Sequence, residues 1–337
     1  MTNLIIRLFI WPLLLSTLVF SSCTHEGDDD QFNMSAPANS ILNPSSSYIV
    51  VLGDIQEYTS SNRLLAYLNT TCKWIKTQQD YYNVIACVLQ DGDLTETNRD
   101  TQWHRADSAF SYLGDNILVI PSTGNHDYKW GGPYSASQIT DRNSTHLNEM
   151  TNLKPLRRSP MQQFEQGKLD NIIVPVKVGK NTINIIALEF GPRKEAVVWA
   201  DSIVRANPNE KYILMTHEWM SASGLRIAEN SYAERQFITL SHSTPEEIWE
   251  KMVYPNDNIL CVLCGHNGFC KYLFSENAAG REVCQVLFNL QYQKNGGNGM
   301  IQLWEFPEDE NVINIFVYNA KTETIHSDIA TQIIVQL

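Results

Sequence analysis

Five polar residues, Asp54, Asp93, Asn125, His217 and His266, each stand one to four positions beyond a short apolar run. Together they offer carboxylate, amide and imidazole donors and no thiolate. Such a set suits zinc, manganese, iron or a similar divalent ion better than a structural zinc knot. A carboxylate such as Asp93 can bridge two cations. Two ions roughly 3.5–4 Å apart would stabilise both the attacking and the leaving oxygen of an in-line displacement. They would also make hydroxide available near neutral pH.

The elements that must position these residues alternate from Ser47 onward. Tyr48–Leu52 is a β-branched run ending in Gly53-Asp54, and Asn83–Leu89 is a second, ending in Asp91-Gly92-Asp93. Ile117–Pro121 runs into Gly124-Asn125-His126-Asp127, Tyr212–Thr216 into His217, and Asn258–Cys264 into Gly265-His266. Helical spacing is expected over Ser61–Gln79, around Thr101–Leu113 and over Lys194–Asn207, the last with Val197, Val198, Ile203 and Val204 inside. Asn171–Val178 and Thr182–Phe190 read as a hairpin turned at Gly179-Lys180-Asn181. Residues 128–170 are polar and weakly periodic and read as an excursion over the surface. The stretch Glu282–Phe316 alternates strands without clear helices. In open α/β sheets a site forms outside the carboxyl ends of the strands, so five strand ends can converge on one place.

The ordered blocks Gly53-Asp54-Ile55-Gln56, Gly92-Asp93-Leu94-Thr95-Glu96, Gly124-Asn125-His126-Asp127, Thr216-His217 and Gly265-His266 resemble the calcineurin-like metallophosphoesterase superfamily. The resemblance covers essentially the whole chain after residue 46. It implies an α/β fold, a four-layer α/β/β/α sandwich of two mixed sheets flanked by helices. It implies two divalent metal ions (manganese, zinc or iron) and hydrolysis of phosphomonoesters or diesters by a metal-activated hydroxide. Asp54 would bind the first ion, Asp93 would bridge, and Asn125, His217 and His266 would bind the second. His126 would sit beside the phosphate as a charge stabiliser or proton donor, and Asp127 would orient it by accepting its other ring proton.

Two positions depart from the family pattern. Gln56 stands where a histidine is usual, though its amide oxygen can still ligate a hard ion. Gly268 stands where the last block carries a histidine. Both changes fall on the first ion and imply a weaker, more oxygen-rich site. They also define the competing expectation, a surface binding lipoprotein that keeps the fold and has lost turnover.

Arg7 precedes an apolar run, Leu8–Phe20, that ends at Ser21-Ser22-Cys23 and is similar to a bacterial lipoprotein signal. Residues 1–22 are therefore expected as a signal peptide and Cys23 as the lipidated residue. Residues 23–46, rich in Asp, Asn, Ser and Pro, are expected as a flexible tether, and 47–337 as the phosphoesterase domain. The expected location is the periplasmic side or the outer-membrane surface, with membrane contact through the lipid anchor only. Of 337 residues 43% are hydrophobic, ample for a core. With 37 acidic against 25 basic residues the formal charge is −12, which argues against stoichiometric nucleic-acid binding and leaves a small-molecule or macromolecular phosphoester as the partner.

Several further residues have two readings. Cys261-x-x-Cys264 lies in a buried strand, where residues three apart face opposite sides, so it is read as core rather than chelator. Arg193 could touch a phosphate but suits a salt bridge. Trp219 suits either pocket or core. The aromatics of Tyr128–Tyr134 suit either a pocket rim or a tight turn. Glu96 and Asn98 suit a leaving-group contact or a helix cap.

Overall fold

The computed structural model describes residues 41–326 and 333–337. In chain order the strands and helices are β1 (Ser46–Val51), α1 (Gln56–Ser60), α2 (Asn62–Tyr82), β2 (Ile85–Gln90), α3 (Asp100–Ser111), β3 (Val119–Pro121) and α4 (Lys154–Arg158). There follow β4 (Gln162–Gln163), β5 (Ile172–Val178), β6 (Asn181–Ala187), α5 (Lys194–Ala206), β7 (Lys211–Met215), α6 (Tyr232–Gln236) and α7 (Pro245–Ile248). The chain closes with β8 (Ile259–Cys264), β9 (Phe269–Glu276), β10 (Glu282–Asn289), α8 (Lys294–Gly297), β11 (Met300–Pro307), β12 (Val312–Asn319), β13 (Thr324–Ile325) and β14 (Ile333–Gln336).

Two mixed sheets carry the fold. One runs β13-β12-β11-β1-β2-β3, with β14 also on β12; the other runs β4-β5-β6-β7-β8-β10-β9. Strands β1, β2 and β3 are parallel neighbours, as are β6, β7, β8 and β10. The side-chain period of two separates their faces. Ile183, Ile185, Ala187, Ile213, Met215, Cys261 and Leu263 enter the large central core, whereas Ile186, Tyr212, Leu214, Val262 and Cys264 pack with α5 on the outer side of the second sheet. Helices α2 and α3 cover the first sheet, which completes the expected α/β/β/α layering. The Cys261/Cys264 pair is split between the two cores, and all six described cysteines are free and buried.

Local chemistry sets the boundaries. The Ser61 side chain accepts from the Leu64 amide to start α2, and Asn83, in the left-handed region at φ 53°, ends it. Three expectations are corrected. Residues 41–46, assigned to the tether, already belong to the fold: Leu42 is buried in the core and the Asn43 amide donates to the Tyr48 hydroxyl. Residues 128–170 are no surface excursion, because Ile139, Leu147, Leu153, Leu156 and Leu169 are all buried, on a spacing too irregular for a periodicity search. On α5 the buried stripe is Ala196, Val197, Ala200 and Val204. Val198 is exposed, since 100° per residue carries it to the opposite side, whereas Ile203, at the edge of the stripe, is half-buried and packs against the same core as expected. The C-terminal run of strands holds no clear helix, as expected, since the four-residue α8 carries left-handed φ at Asn295 and Gly296. Cys23 lies outside the described residues. Among the described residues no helix is long and apolar enough to cross a membrane.

Candidate metal centre

Each expected donor sits just past a strand end. β1 delivers Asp54 and, at the first position of α1, Gln56; β2 delivers Asp93; β3 delivers Asn125, His126 and Asp127 in one 3₁₀ turn; β7 delivers His217; β8 delivers His266. The ligand atoms of Asp93, His217 and His266 lie within 4.8 Å of one another, and all three residues are buried. His217 Nε2 is 3.2 Å from Asp93 Oδ2, and the two histidine rings are 5.0 Å apart. The His126 amide donates to Asp93 Oδ1 at 3.0 Å, tying the third strand end to the second. The His266 amide donates to Asp54 Oδ1 at 3.1 Å, tying the fifth to the first.

The backbone is bent to make this possible. Asp93 and His266 sit in the left-handed region, at φ 52° and 67°. Strain of this kind persists where the surroundings over-determine it, typically at functional sites. A methyl group on Gly92 would collide with the His217 ring, and one on Gly124 with the Asp93 carboxylate. Glycine is required at both because the strand ends approach so closely.

Buried polar atoms normally find partners. Here Gln56 Oε1, Asn125 Oδ1 and both carboxylate oxygens of Asp91 are buried without a hydrogen bond. His217 Nε2 also lacks hydrogen-bond geometry despite its short contact with Asp93. Orphaned oxygen and nitrogen donors converging from four strand ends fit divalent cations. His217 Nδ1 is held at 3.0 Å by the Asp91 carbonyl, which fixes the tautomer and turns Nε2 toward Asp93.

The electrostatics agree with this assignment. Burial, reinforced by charge on His217, holds His266 down to about 3, so its ring is a neutral donor through the physiological range. Burial would lower His217 too, but Asp93 and Asp54 outweigh it and push it up to about 10. Asp93 goes the opposite way: burial opposes its charge, yet His217 and His126 hold it below the usual carboxylate range. A proton on His217 therefore stands in the metal-free protein where positive charge is wanted.

His126 is half-buried, its Nδ1 2.7 Å from the Glu96 carbonyl. A carbonyl only accepts, so Nδ1 carries hydrogen and Nε2 faces the other way. This corrects the role expected of Asp127. Its carboxylate instead accepts from the amides of Gly124, Leu94 and Thr95 and from the Thr95 hydroxyl, at 2.8–3.1 Å. It staples the second and third strand ends together, because the tight 3₁₀ turn sends consecutive side chains in different directions.

Two contributors escaped the sequence reading. Asn289, at the end of β10, donates to Asp54 Oδ2 at 2.7 Å and to the His266 carbonyl at 3.1 Å. Its place after a sixth apolar strand was the available signal. Asp91 was passed over beside Asp93. Other residues settle into structural roles. Arg193 pairs with Glu189 and Glu165 at 2.8 and 2.7 Å, Glu218 caps α6, and Trp219 is core with its Nε1 on Gln285. Asn98 receives the Trp103 indole hydrogen and donates to the Ser144 carbonyl. Tyr128 is core, whereas Trp130 lies at the rim, its ring 4.8 Å from His126 and its Nε1 on the Asn125 carbonyl.

Comparison with known proteins places residues 47–268 within a model of the calcineurin-like phosphoesterases. The uncharacterized protein YvnB of Bacillus subtilis (strain 168) is 25% identical over 285 residues, which cover 80% of this chain and 20% of that protein. The chain thus spans about a fifth of that relative's length. The crystal structure of a 5′-nucleotidase precursor from Thermus thermophilus aligns with TM-score 0.43 and 13% identity over 84% of this chain and 53% of that one. A conserved uncharacterized protein from Streptococcus pneumoniae, described as a phosphoesterase by prediction, aligns with TM-score 0.34 and 9% identity over 86% and 98%.

Proposed function

The chain belongs to the calcineurin-like phosphoesterase family, and on that premise we propose that it hydrolyses phosphomonoesters or diesters with two divalent cations. The observation that carries the proposal is the buried Asp93–His217–His266 cluster ringed by orphaned donors. Asp54 and Gln56 would hold one ion, Asn125, His217 and His266 the other, with Asp93 between them. Bound there, the pair would supply Lewis-acid stabilisation of phosphoryl oxygens and a lowered pKa for water.

The chain's own residues contribute the rest. Asp93 and His217 organise each other across 3.2 Å before any substrate arrives. His126, with Nδ1 engaged by the Glu96 carbonyl, keeps Nε2 available to hold a proton for the departing oxygen. Burial opposes the charged form of His126, but Asp93 and the Glu96 carbonyl outweigh it and raise its pKa above the ordinary value. Asp127 fixes the turn that presents His126. Turnover of a phosphoester panel by purified protein with added Mn²⁺ or Zn²⁺, falling more than about a hundredfold in Asn125→Ala and His217→Ala, is the expected result. A wild-type protein inert on every ester would remove the proposal.

A second reading has its own observation. The Tyr292 ring occupies space beside Gly268, 2.9 Å from where a side chain at 268 would begin. A binding protein that keeps the fold without turnover would show one bound ion or none per chain. For location, we propose an exported lipoprotein held through Cys23 at the periplasmic side or outer-membrane surface. Fatty-acid labelling that is lost in Cys23→Ser is the expected result, and labelling that survives the substitution contradicts it.

A further inference from the structure

Large apolar side chains in this fold are mostly buried, yet three aromatic rings stand in solvent at the mouth of the metal centre. Trp130 is 37% exposed, Tyr232 40% and Tyr292 69%. Each touches a residue of the centre or the place of a missing one. The Trp130 ring lies 4.8 Å from His126. The Tyr232 ring lies 4.3 Å from His266, edge to face at 76°. Tyr292 leans over Gly268. Exposed apolar surface continuous with a polar centre marks a ligand-binding face.

Arg235 adds a second, independent feature. Its guanidinium stacks over Tyr232 at 4.0 Å, and among the described residues its side chain makes no ion pair. It lies close enough to His266 and to the buried carboxylate of Glu218 for the charges to interact, yet it forms an ion pair with neither. A stacked, pre-oriented guanidinium outside any ion pair can receive an anionic oxygen.

We propose that Trp130, Tyr232 and Tyr292 select phosphoesters whose organic half carries a planar ring, a nucleobase or an aryl group, and that Arg235 holds an anionic oxygen of the same substrate. The proposal rests on the phosphoesterase reading and narrows its substrate class. π faces stack on any planar ring irrespective of its hydrogen-bonding pattern, so base and aryl esters share this chemistry.

The test compares kcat/KM of the full chain with Mn²⁺ on a purine nucleoside 5′-phosphate and phenyl phosphate against glycerol phosphate and glucose 6-phosphate. The wild type should favour at least one ring-bearing ester, and which one distinguishes base from aryl group. Tyr292→Ala and Tyr232→Ala should each cut that preference about tenfold through KM. Arg235→Gln should raise KM for every ester and leave the preference standing. Melting temperature and metal content show whether each variant keeps its fold and centre. Calorimetric binding of the free nucleoside and of phenol needs no turnover. Binding lost in Tyr292→Ala supports the aromatic mouth even if every ester resists hydrolysis, a result that would sink the hydrolase reading alone. Equal losses on ring-bearing and ring-free esters, or a wild-type preference for glucose 6-phosphate, would overturn the proposal.

Discussion

The two halves of the metal centre are built differently. On the side of Asn125, His217 and His266, the donors come from three separate strand ends and include two imidazoles, both buried. On the side of Asp54 and Gln56, the donors are oxygens from one strand end, and Asp54 already accepts from the His266 amide and the Asn289 side chain. Gly268 supplies nothing there, and Tyr292 fills the adjacent space. Nitrogen-rich coordination binds zinc-like ions tightly, whereas a few oxygens favour a harder and more exchangeable ion. On the proposed two-ion reading, the half with two imidazoles would hold its ion tightly and the other would exchange it.

Substitutions can break this contrast, and Asp93→Asn should do so most severely, because Asp93 would join both halves in the proposed centre. We expect activity to fall more than about a thousandfold, with both ions lost on elemental analysis. Retention of a full metal complement would show that Asp93 bridges nothing. His217→Ala should cost about a hundredfold or more and abolish the rise in melting temperature that Mn²⁺ produces. Gln56→Ala should cost only about tenfold and be rescued by excess Mn²⁺. Equal losses in the two variants would erase the asymmetry.

Acidity offers a subtler probe. His217 is held protonated in the metal-free protein by Asp93 and Asp54, against burial. A cation must displace that proton, so metal affinity should fall as pH falls below the raised pKa, by about tenfold per unit for one proton released. Calorimetry in buffers of different ionisation enthalpy would count that proton. A flat affinity between about pH 6 and 9 would mean that His217 is already neutral. The smallest effect is expected from Asn289→Ala, which frees one oxygen of Asp54. First-ion affinity should drop about tenfold while the second ion stays, as read by competition with a chelator.

Much of this centre was legible because apolar strands announce themselves by composition, and polar residues immediately beyond them have few other uses. Asp54, Asp93, Asn125, His217 and His266 were found in that way. Asn289 follows the same rule, but its strand, parallel to β8, also pairs antiparallel with β9 and lies in a stretch of consecutive strands whose ends carry many polar residues, which hid it. Asp127 was placed on the wrong partner because sequence adjacency to His126 says nothing of direction within a 3₁₀ turn. The buried leucines between Leu147 and Leu169 were missed because short irregular segments bury single side chains without periodicity. Val198 was misplaced by counting apolar residues rather than angles along α5.

The central claim is that these strand ends share a pair of ions through Asp93. Anomalous diffraction from crystals grown with Mn²⁺ tests it most directly. Two peaks should flank the Asp93 carboxylate, the one beside His217 and His266 fully occupied and the one beside Asp54 and Gln56 weaker. No peak at Asp93, or a lone peak away from it, would contradict the account.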